Sequence, residues 1–450
     1  MDRSLLEYAD KRHFWHPFTQ MKEYEKTPPI VIERAKGVYV YDTAGKRYLD
    51  GMSSWWVNLA GHGHPRLDRA LKAQIDKFSH VTTATLTHAP AIELAYELSQ
   101  VLPAGLTRVF YSDDGSTAVE TALKLVFQGW LNRGQPQRRR FVSLQEAYHG
   151  DTVGAVSVGD VPLYHKLYGP LLFDAFHVPS PSPRMAPVGV SEEVWRVQAI
   201  RALEQLLEVE GPSLAGIILE PLVQAAAGMY VYDPAYLVAV RALCDRFGIP
   251  LIADEVAVGF GRTGVLFACE HAGISPDVIC LSKALTGGYM PLGVTVATDA
   301  LFEAFWGDYA EKKTFYHGHS YTGNPLGCAL GLEVLAMFRE EGLLEALPEK
   351  IRAMQQGFEY LGSLEQVGDK RGVGMIAAVE LYREVESRTA YGFEERMGQK
   401  VCRAALERGL FVRPLGDVIY LMPPLSITVE EIEGAINVLG DSIRHTCASA

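Results

Sequence analysis

The chain has 450 residues, of which 48% are hydrophobic, and its formal net charge is -12. This length and composition predict one or two globular domains with a large core, and they exclude a disordered tail. The acidic balance argues against nucleic-acid binding as the main function.

The N-terminal residues and the cysteines bear on location. The segment MDRSLLEYADKRHFW lacks an apolar stretch after a basic start, so we expect no signal peptide. The sequence contains no run of about 18 uncharged apolar residues, so we expect no membrane span. The six cysteines are scattered without a CxxC pair, which favours reduced thiols over disulfides or a zinc site. We therefore expect a cytoplasmic protein.

Predicted strands and helices alternate along much of the chain, after a hairpin at residues 37–51. The predicted strands cover residues 107–114, 139–145, 214–221, 249–256 and 277–283. Helices are predicted from Ser116, across 197–207, and from Pro234 to Phe247 with Asp233 as the N-cap. Such alternation predicts an α/β fold in which a largely parallel sheet is covered by helices on both faces.

A second, smaller domain is predicted from the two ends of the chain. We assign residues 1–60 and 326–450 to it, and residues 61–325 to the large domain. The C-terminal part opens with a long helix and closes with a helix capped by Thr428 and Glu431 in a capping box.

Four features lie where predicted strands end, which is where open parallel sheets bind ligands. Gly115 and Ser116 lie where a strand turns into a helix. Their free N–H groups and the helix dipole suit a phosphate, although a plain helix cap has the same pattern. Tyr148 and His149 follow a strand and precede Gly150. An aromatic side chain there can stack on a flat ligand or simply pack against a neighbouring loop.

The other two features are charged. Asp254 ends a strand with no charge before it, so it needs a cationic partner. An ordinary ion pair with Arg262 would satisfy it without any catalytic role. Lys283 follows the apolar strand 278–281 and precedes a turn rich in small residues. A buried lysine has a lowered pKa and becomes a nucleophilic amine that can bond to an aldehyde.

Together these features predict a pyridoxal phosphate site. The carboxylate would keep the pyridine nitrogen protonated, so that the ring withdraws electrons from the substrate Cα. The lysine, once displaced by substrate, would move the proton between that carbon and the cofactor.

Two other motifs compete with this interpretation. Gly259, Gly261 and Gly264 have the G-x-G-x-x-G spacing of a dinucleotide fold, but the expected amphipathic helix and acidic residue do not follow. The pairs His62-Gly63-His64 and His317-Gly318-His319 would need a third ligand to bind a metal, and the sequence does not indicate one. We therefore expect no metal and interpret both pairs as loop packing.

Three longer stretches resemble one family. They are LIADEVAVGFGRTG at 251–264, LSKALTGGYMPLG at 281–293 and HGHSYTGNPLGCA at 317–329. They resemble the class III pyridoxal phosphate aminotransferases of fold type I, and the likeness runs over nearly the whole chain. The resemblance implies a large cofactor-binding domain, a smaller α+β domain, and a homodimer with active sites at the subunit interface.

The resemblance also implies roles for individual residues. Lys283 would bond the cofactor aldehyde, Asp254 would pair with the pyridine nitrogen, and Tyr148 would stack on the ring. Gly115 and Ser116 would hold the phosphate.

Five further stretches resemble a narrower branch of this family. They are residues 15–21, 50–65, 86–94, 148–159 and 412–424. Members of the branch transfer an amino group to 8-amino-7-oxononanoate (KAPA) in biotin biosynthesis. This small-molecule substrate is a long apolar chain with a terminal carboxylate, so its site needs an apolar wall and one fixed cation.

The resemblance assigns both parts of the substrate site. Trp55 and Trp56 match a tryptophan pair that would form the wall. Arg413 matches an arginine that would hold the carboxylate. Phe18 and Gly318 are the remaining expected substrate contacts. The tryptophans also have an ordinary explanation as core residues, and two neighbours in a strand would point to opposite faces.

Some positions depart from the family pattern. The family commonly has HPY where this chain has Phe18, and it often has threonine where this chain has Val258 and Ser320. Ser320 keeps a hydroxyl, so it would still reach the phosphate from the other subunit. Val258 has no assigned role.

The resemblance implies that the amino donor is either S-adenosylmethionine or lysine. Phe18 lacks the tyrosine hydroxyl, which removes one polar contact, and several segments look more like the lysine-using branch. These features favour lysine slightly, although one hydroxyl contributes only about 1 kcal/mol.

Two other functions stay open. One is another class III ω-aminotransferase that acts on ornithine, 4-aminobutyrate or a similar amine, which a polar pocket would favour. The other is a non-enzymatic protein that binds pyridoxal phosphate, such as the effector domain of a regulator. That function needs a DNA-binding module, and no basic helix-turn-helix stretch is visible.

Overall fold

A seven-stranded sheet forms the centre of the structure, a computed structural model that describes residues 1–448. Its strands lie in the spatial order Leu106–Ser112, Gly293–Thr298, Val278–Leu281, Leu251–Asp254, Leu214–Leu219, Arg140–Leu144 and Phe176–Val178. The last five strands of this order run parallel. Gly293–Thr298 runs antiparallel to both of its neighbours. The predicted α/β class and largely parallel sheet are confirmed, and Gly293–Thr298 is a strand that the sequence analysis missed.

Helices cover both faces of this sheet because successive strand residues point to opposite sides. Ile218 packs with the buried face of the helix Gly115–Asn132. Its neighbour Ile217 packs with the helices Glu192–Glu210 and Pro234–Phe247. Three of the predicted helices are therefore confirmed.

The structure describes more α-helical segments than the sequence analysis predicts, and one of them, Ser53–Trp56, contains residues in a left-handed conformation. They are Arg3–His13, Met21–Tyr24, Ser53–Trp56, Pro65–Ile75, Ala89–Val101, Gly115–Asn132, Val153–Ser157, Pro162–His165, Glu192–Glu210, Pro234–Phe247, Asp299–Phe302, Pro325–Glu340, Leu347–Leu361, Met397–Glu407 and Val429–Cys447. Asp233 caps the helix that starts at Pro234. Thr428 and Glu431 form the predicted capping box.

Smaller sheets involve both ends of the chain. The N-terminal strands are Ile32–Lys36, Tyr39–Asp42 and Arg47–Asp50, and the last two form the predicted hairpin. Leu410–Phe411 pairs in parallel with Arg47–Asp50, which joins the two ends of the chain. The other strands are Val367–Val373, Ile376–Leu381 and Val418–Leu421 in one sheet, with Val223–Gln224 and Tyr230–Val231 in another. The domain bounds given above remain a prediction.

All six cysteines are buried and none is in a disulfide in the described part of the chain. Within residues 1–448, no helix has both the length and the apolar character needed to cross a membrane.

Candidate active site

A cavity of about 610 Å³ opens at the carboxyl ends of the central strands. The parallel strands Leu251–Asp254 and Val278–Leu281 pair Asp254 with Cys280, so Lys283 follows three residues beyond that pair. The sequence-predicted residues that line the cavity are Trp56, Gly115, Ser116, Tyr148, Asp254 and Lys283. One space therefore collects residues that lie far apart in the sequence.

Lys283 is held in an uncommon backbone conformation. Its φ is +45°, and it opens a 3-10 turn that ends at Gly287, whose φ is +64°. Its side chain is partly open to the cavity and enclosed by protein elsewhere. This enclosure lowers the pKa of Lys283 to about 8, although the nearby carboxylate of Asp254 acts in the opposite direction. At neutral pH about a tenth of the amine is then unprotonated, so it can act as a nucleophile.

The partner of Asp254 is a histidine and not the arginine considered as an alternative from the sequence. His149 Nδ1 lies 2.7 Å from Asp254 Oδ2, and both side chains are buried. The backbone N–H of Val256 donates to Asp254 Oδ1 at 3.1 Å. The carboxylate is thus fixed from two sides at a strand end that faces the cavity.

Arg262 is fully buried and serves backbone carbonyls instead of Asp254. It donates to the carbonyl oxygens of Pro423 at 2.5 Å, Asn58 at 3.0 Å and Trp56 at 3.4 Å. The alternative of an ordinary Asp254–Arg262 ion pair is therefore wrong, because the guanidinium donates to backbone carbonyl oxygens of two loops instead.

Glu220 is a buried carboxylate beside the cavity that the sequence analysis did not select. Burial raises its pKa to about 7. It accepts hydrogen bonds from the backbone N–H of Tyr148 at 3.1 Å and of Ala225 at 3.0 Å. It therefore fixes the loop that carries Tyr148. Its position at the end of the apolar strand Leu214–Leu219 is the same signal that identified Asp254.

The start of the helix Gly115–Asn132 forms a small cradle. Asp114 caps it in a capping box. A Cβ on Gly115 would lie 2.5 Å from Val256 Cγ1, and one on Gly150 would clash with the Ser116 side chain. Ser116 Oγ is hydrogen-bonded to Thr152 Oγ1 at 2.8 Å. Free N–H groups at a helix start, reached only past glycine backbone, suit a phosphate.

The residues around the cavity fit pyridoxal phosphate. The cradle suits its phosphate, the amine of Lys283 suits its aldehyde, and Asp254 suits its ring nitrogen. The ring of Tyr148 lies nearly parallel to that of His165, with centroids 6.1 Å apart. Tyr148 thereby presents a flat surface in the cavity.

The tryptophan pair lies in a turn and not in a strand. Ser53, Ser54, Trp55 and Trp56 all have positive φ, from +48° to +80°. This left-handed conformation is unfavourable for residues with a Cβ, by about 1 to 3 kcal/mol each. The prediction of a strand was wrong because side-chain and backbone contacts outweigh this cost. Trp56 is buried beside Lys283, with its ring centroid 4.6 Å from Nζ, and Trp55 is 36% exposed.

Arg413 lies against the exposed tryptophan. Its guanidinium carbon is 4.8 Å from the centroid of the Trp55 ring, and its Nη2 donates to the carbonyl oxygen of Phe18 at 2.7 Å. The ring of Phe18 packs edge-on against Trp55 and Tyr164, at 5.7 and 5.4 Å between centroids. Tyr164 in turn contacts Tyr148 at 6.2 Å. An aromatic chain therefore connects the arginine to the cavity.

The structure does not bring Gly318 or Ser320 to the cavity. Both are exposed on a loop. The carbonyl oxygen of Ser320 contacts His80 Nε2 at 2.7 Å. Their assigned roles remain predictions that depend on a second subunit.

The histidine pairs contact neighbouring side chains. His62 Nε2 lies 3.0 Å from Asp50 Oδ2, and His317 Nδ1 lies 2.9 Å from Lys124 Nζ. In residues 1–448, no group of three or more His, Cys, Asp or Glu side chains is arranged to hold a metal ion.

Comparison with known proteins decides the family. The sequence profile described as "Aminotransferase class-III" matches residues 20–443. The chain belongs to the class III aminotransferases. Membership makes it an enzyme that transfers amino groups and implies dependence on pyridoxal phosphate, as the residues of the cavity indicate.

Individual class III aminotransferases are similar over almost the full length. An adenosylmethionine-8-amino-7-oxononanoate aminotransferase of Geobacter sulfurreducens is 49% identical over 446 residues, which cover 99% of this chain and 98% of the relative. The crystal structure of the enzyme of that name from Methanocaldococcus jannaschii is 40% identical, with a TM-score of 0.94 and 99% of each chain covered. A thermostable (S)-enantioselective ω-transaminase from Thermomicrobium roseum is 33% identical, with a TM-score of 0.95 and the same coverage.

The dinucleotide alternative fails on geometry. The glycines of Gly259–Gly264 lie in a buried loop, followed by the short 3-10 turn Ala268–Ala272 and not by an amphipathic helix. A Cβ on Gly261 would lie 2.9 Å from Leu425 Cδ1. These glycines allow close packing against neighbouring backbone and apolar side chains.

Proposed function

We propose that the enzyme converts 8-amino-7-oxononanoate (KAPA) into 7,8-diaminononanoate (DAPA), with pyridoxal 5'-phosphate as cofactor. The observation that carries the proposal is that Lys283 and Asp254 share a cavity with Trp56, while Arg413 lies on Trp55. The names of the similar enzymes support this choice of substrate. We also propose a cytoplasmic homodimer, as the family resemblance implies.

The lysine end of the cavity is formed by Lys283, Asp254 and His149, and each of these residues has a proposed role. Bound there, pyridoxal phosphate supplies an aldehyde and an electron-withdrawing ring that stabilises a carbanion on the substrate. Lys283 Nζ would hold the cofactor through its aldehyde, and the same amine would carry the proton during amino transfer. Asp254 would keep a proton on the ring nitrogen. His149 orients Asp254 through the 2.7 Å contact.

The arginine end, which is formed by Phe18, Trp55 and Arg413, would hold the substrate chain. Trp55 and Trp56 offer apolar surface to a hydrocarbon chain, and Arg413 offers a cation to its carboxylate. In the described structure, Arg413 donates to the carbonyl oxygen of Phe18. Binding of the substrate would exchange this neutral acceptor for a charged one, which forms the stronger hydrogen bond.

We propose S-adenosylmethionine as the amino donor and lysine as its competitor. The names of relatives from 39% to 49% identical include adenosylmethionine. We give this more weight than the missing hydroxyl at Phe18, which is worth about 1 kcal/mol. The sequence-based preference for lysine is therefore not carried forward.

Spectra of the purified enzyme with bound cofactor test substrate and donor together. We expect S-adenosylmethionine to convert the pyridoxal form to the pyridoxamine form in one turnover, and 8-amino-7-oxononanoate to reverse the change with formation of 7,8-diaminononanoate. Rapid conversion by lysine alone would reverse the donor assignment. Conversion by ornithine or 4-aminobutyrate, with no response to 8-amino-7-oxononanoate, would replace the proposed function by another ω-aminotransferase activity.

Mixed dimers test the shared active site. Lys283→Ala subunits lack the lysine, and Ser320→Glu subunits would repel the phosphate of the other subunit. If the site is shared, a mixed dimer has one complete site, so equal mixing restores about a quarter of the activity. No recovery after verified subunit exchange would contradict a role for Ser320 across the interface.

A further inference from the structure

Asp50 is a fully buried carboxylate three residues before the tryptophan turn, which is formed by residues Ser53–Trp56. It ends the strand Arg47–Asp50. Its Oδ1 accepts a hydrogen bond from the backbone N–H of Ser54 at 2.8 Å. Its Oδ2 accepts one from Ser54 Oγ at 2.6 Å and lies 3.0 Å from His62 Nε2. One side chain thus holds the turn and the following loop together.

The tryptophan turn, residues Ser53–Trp56, needs such a partner. Four consecutive residues with a Cβ have positive φ, a conformation that is rare even for single residues. The carboxylate of Asp50 satisfies the N–H of Ser54, and Ser53 Oγ donates to the carbonyl oxygen of Met422 at 2.7 Å. The turn is therefore held by side chains at its start.

His62 is fixed by its own backbone. Its N–H donates to the carbonyl oxygen of Gly37 at 2.7 Å, and its carbonyl oxygen accepts from the N–H of Gly37 at 2.9 Å. The preceding Gly61 has φ +84°, and a Cβ there would lie 2.9 Å from the Gly37 carbonyl oxygen. The imidazole therefore contacts Asp50 from a rigid position.

We propose that Asp50 and His62 are positioning residues for the tryptophan turn. They hold it in the left-handed form in which Trp56 lies beside the lysine of the cavity and Trp55 lies against Arg413. Neither residue touches the substrate in this assignment. The proposal rests on the proposed function, because the pair acts through the wall that binds the keto acid.

Asp50→Asn is the first test. An amide retains an acceptor for the N–H of Ser54, but its NH₂ group cannot accept from Ser54 Oγ. We expect the KM for 8-amino-7-oxononanoate to rise about tenfold or more while kcat changes less than about threefold, because substrate binding is lost before chemistry. A fall in kcat with KM unchanged would overturn the proposal.

A double-mutant cycle separates a positioning role of Asp50 from a general loss of local structure. If Asp50 acts through the tryptophans, Asp50→Asn should change KM less than about twofold in a Trp55→Ala, Trp56→Ala background. The same tenfold rise in that background would show that Asp50 acts elsewhere, and the proposal would fail.

Asp42 provides a matched control on the same hairpin. It accepts from the backbone N–H groups of Ala44 and Lys46, each at 2.9 Å, and from the hydroxyl of Tyr48 at 2.9 Å. Asp42→Asn should leave KM within about twofold of the original value. An equal rise in KM for the two variants would identify a general effect on the hairpin and overturn the assignment.

Milder variants keep the test decisive if Asp50→Asn does not fold. Ser54→Ala removes only the hydroxyl donor and should raise KM about threefold. His62→Ala should raise KM, and His62→Gln, which can still donate to Asp50, should restore part of the loss. Unchanged KM in both Ser54→Ala and His62→Ala would refute the proposal.

Near-ultraviolet circular dichroism tests the pair independently of the substrate. The signal that Trp55→Ala and Trp56→Ala remove should also be reduced in Asp50→Asn and retained in Asp42→Asn. If the unaltered enzyme does not convert 8-amino-7-oxononanoate, the proposed function fails but this measurement still decides on the turn. A signal unchanged in Asp50→Asn would reject the positioning role.

Discussion

The two ends of the proposed substrate site are built differently. At the lysine end, Asp254 and Lys283 follow neighbouring parallel strands, and Asp254 is fixed by a buried histidine. At the arginine end, Phe18, Trp55 and Arg413 come from three distant segments. Phe18 and Trp55 have positive φ and are partly exposed. In the proposed function, the rigid sheet holds the residues assigned to the chemistry, while surface segments hold the residues assigned to substrate selection.

Lys283→Ala breaks the lysine end most severely. Loss of the amine removes both the bond to the cofactor aldehyde and the proton carrier, so we expect turnover to fall at least about 1000-fold. Visible absorbance of the bound cofactor and its fixation by borohydride should change as well. Retention of a borohydride-fixed cofactor together with full turnover would show that another residue does this work.

Asp254→Asn weakens the same end without removing the bond to the cofactor. An amide cannot hold a proton on the ring nitrogen by charge, so we expect turnover to fall about 100-fold or more while the cofactor still binds. Absorbance of the bound cofactor measures binding, and a coupled assay measures turnover. Activity within about threefold of the original, which is less than about 0.7 kcal/mol in the barrier, would exclude this role.

Arg413→Ala breaks the other end. Loss of a charged partner for the carboxylate should cost about 2 kcal/mol, so the KM for 8-amino-7-oxononanoate should rise about 30-fold. The half-reaction with the donor should change much less. Steady-state and single-turnover measurements separate the two effects. An equal loss in both half-reactions would indicate that Arg413 mainly holds Phe18 and the N-terminal segment.

The sequence predicts the lysine end well because local pattern and topology agree there. Apolar runs identify the strands Leu251–Asp254 and Val278–Leu281, and parallel pairing then places the residues that follow them along one edge. Gly115 lies at a predicted strand-to-helix junction for the same reason. Glu220 follows the same rule at the end of the strand Leu214–Leu219, so its position could have identified it, but the sequence analysis did not select it.

The structure of the arginine end could not be predicted from local sequence patterns. The adjacent tryptophans were predicted in a strand, but Asp50, Arg262 and Met422 hold them in a left-handed turn. Two of these three partners lie more than 200 residues from the turn. The contact of Arg413 with the carbonyl oxygen of Phe18 spans 395 residues. Such contacts depend on the finished fold.

The enclosed lysine should also affect stability. In the cofactor-free protein, the pKa of Lys283 is lowered from 10.5 to about 8. Below pH 8 the lysine is protonated in both the folded and the unfolded state. The free energy of unfolding is then lowered by the full cost of enclosing the charge. Between pH 8 and 10.5 only the unfolded chain keeps the proton, so this cost disappears as pH rises.

Lys283→Met removes that ammonium group and tests the direction in which folding stability changes with pH. We expect it to stabilise the cofactor-free protein at pH 6.5 by up to about 3 kcal/mol, with less if water in the cavity screens the charge. The gain should shrink by pH 9.5. Urea unfolding of both proteins at the two pH values measures the difference. A gain that is constant with pH would point to better packing by methionine instead.

Phe18→Tyr is the gentlest change at the arginine end and acts on donor choice. The Phe18 ring is 47% exposed and meets Trp55 edge-on, so an added hydroxyl has room at the ring edge. One new hydrogen bond contributes about 1 kcal/mol, so the ratio of kcat/KM for S-adenosylmethionine to that for lysine should rise about fivefold. Phe18→Leu is the matched control, because it removes the ring and adds no hydroxyl, and it should lower activity with both donors. A larger ratio in Phe18→Leu than in Phe18→Tyr would mean that ring size, and not the missing hydroxyl, sets the preference between donors.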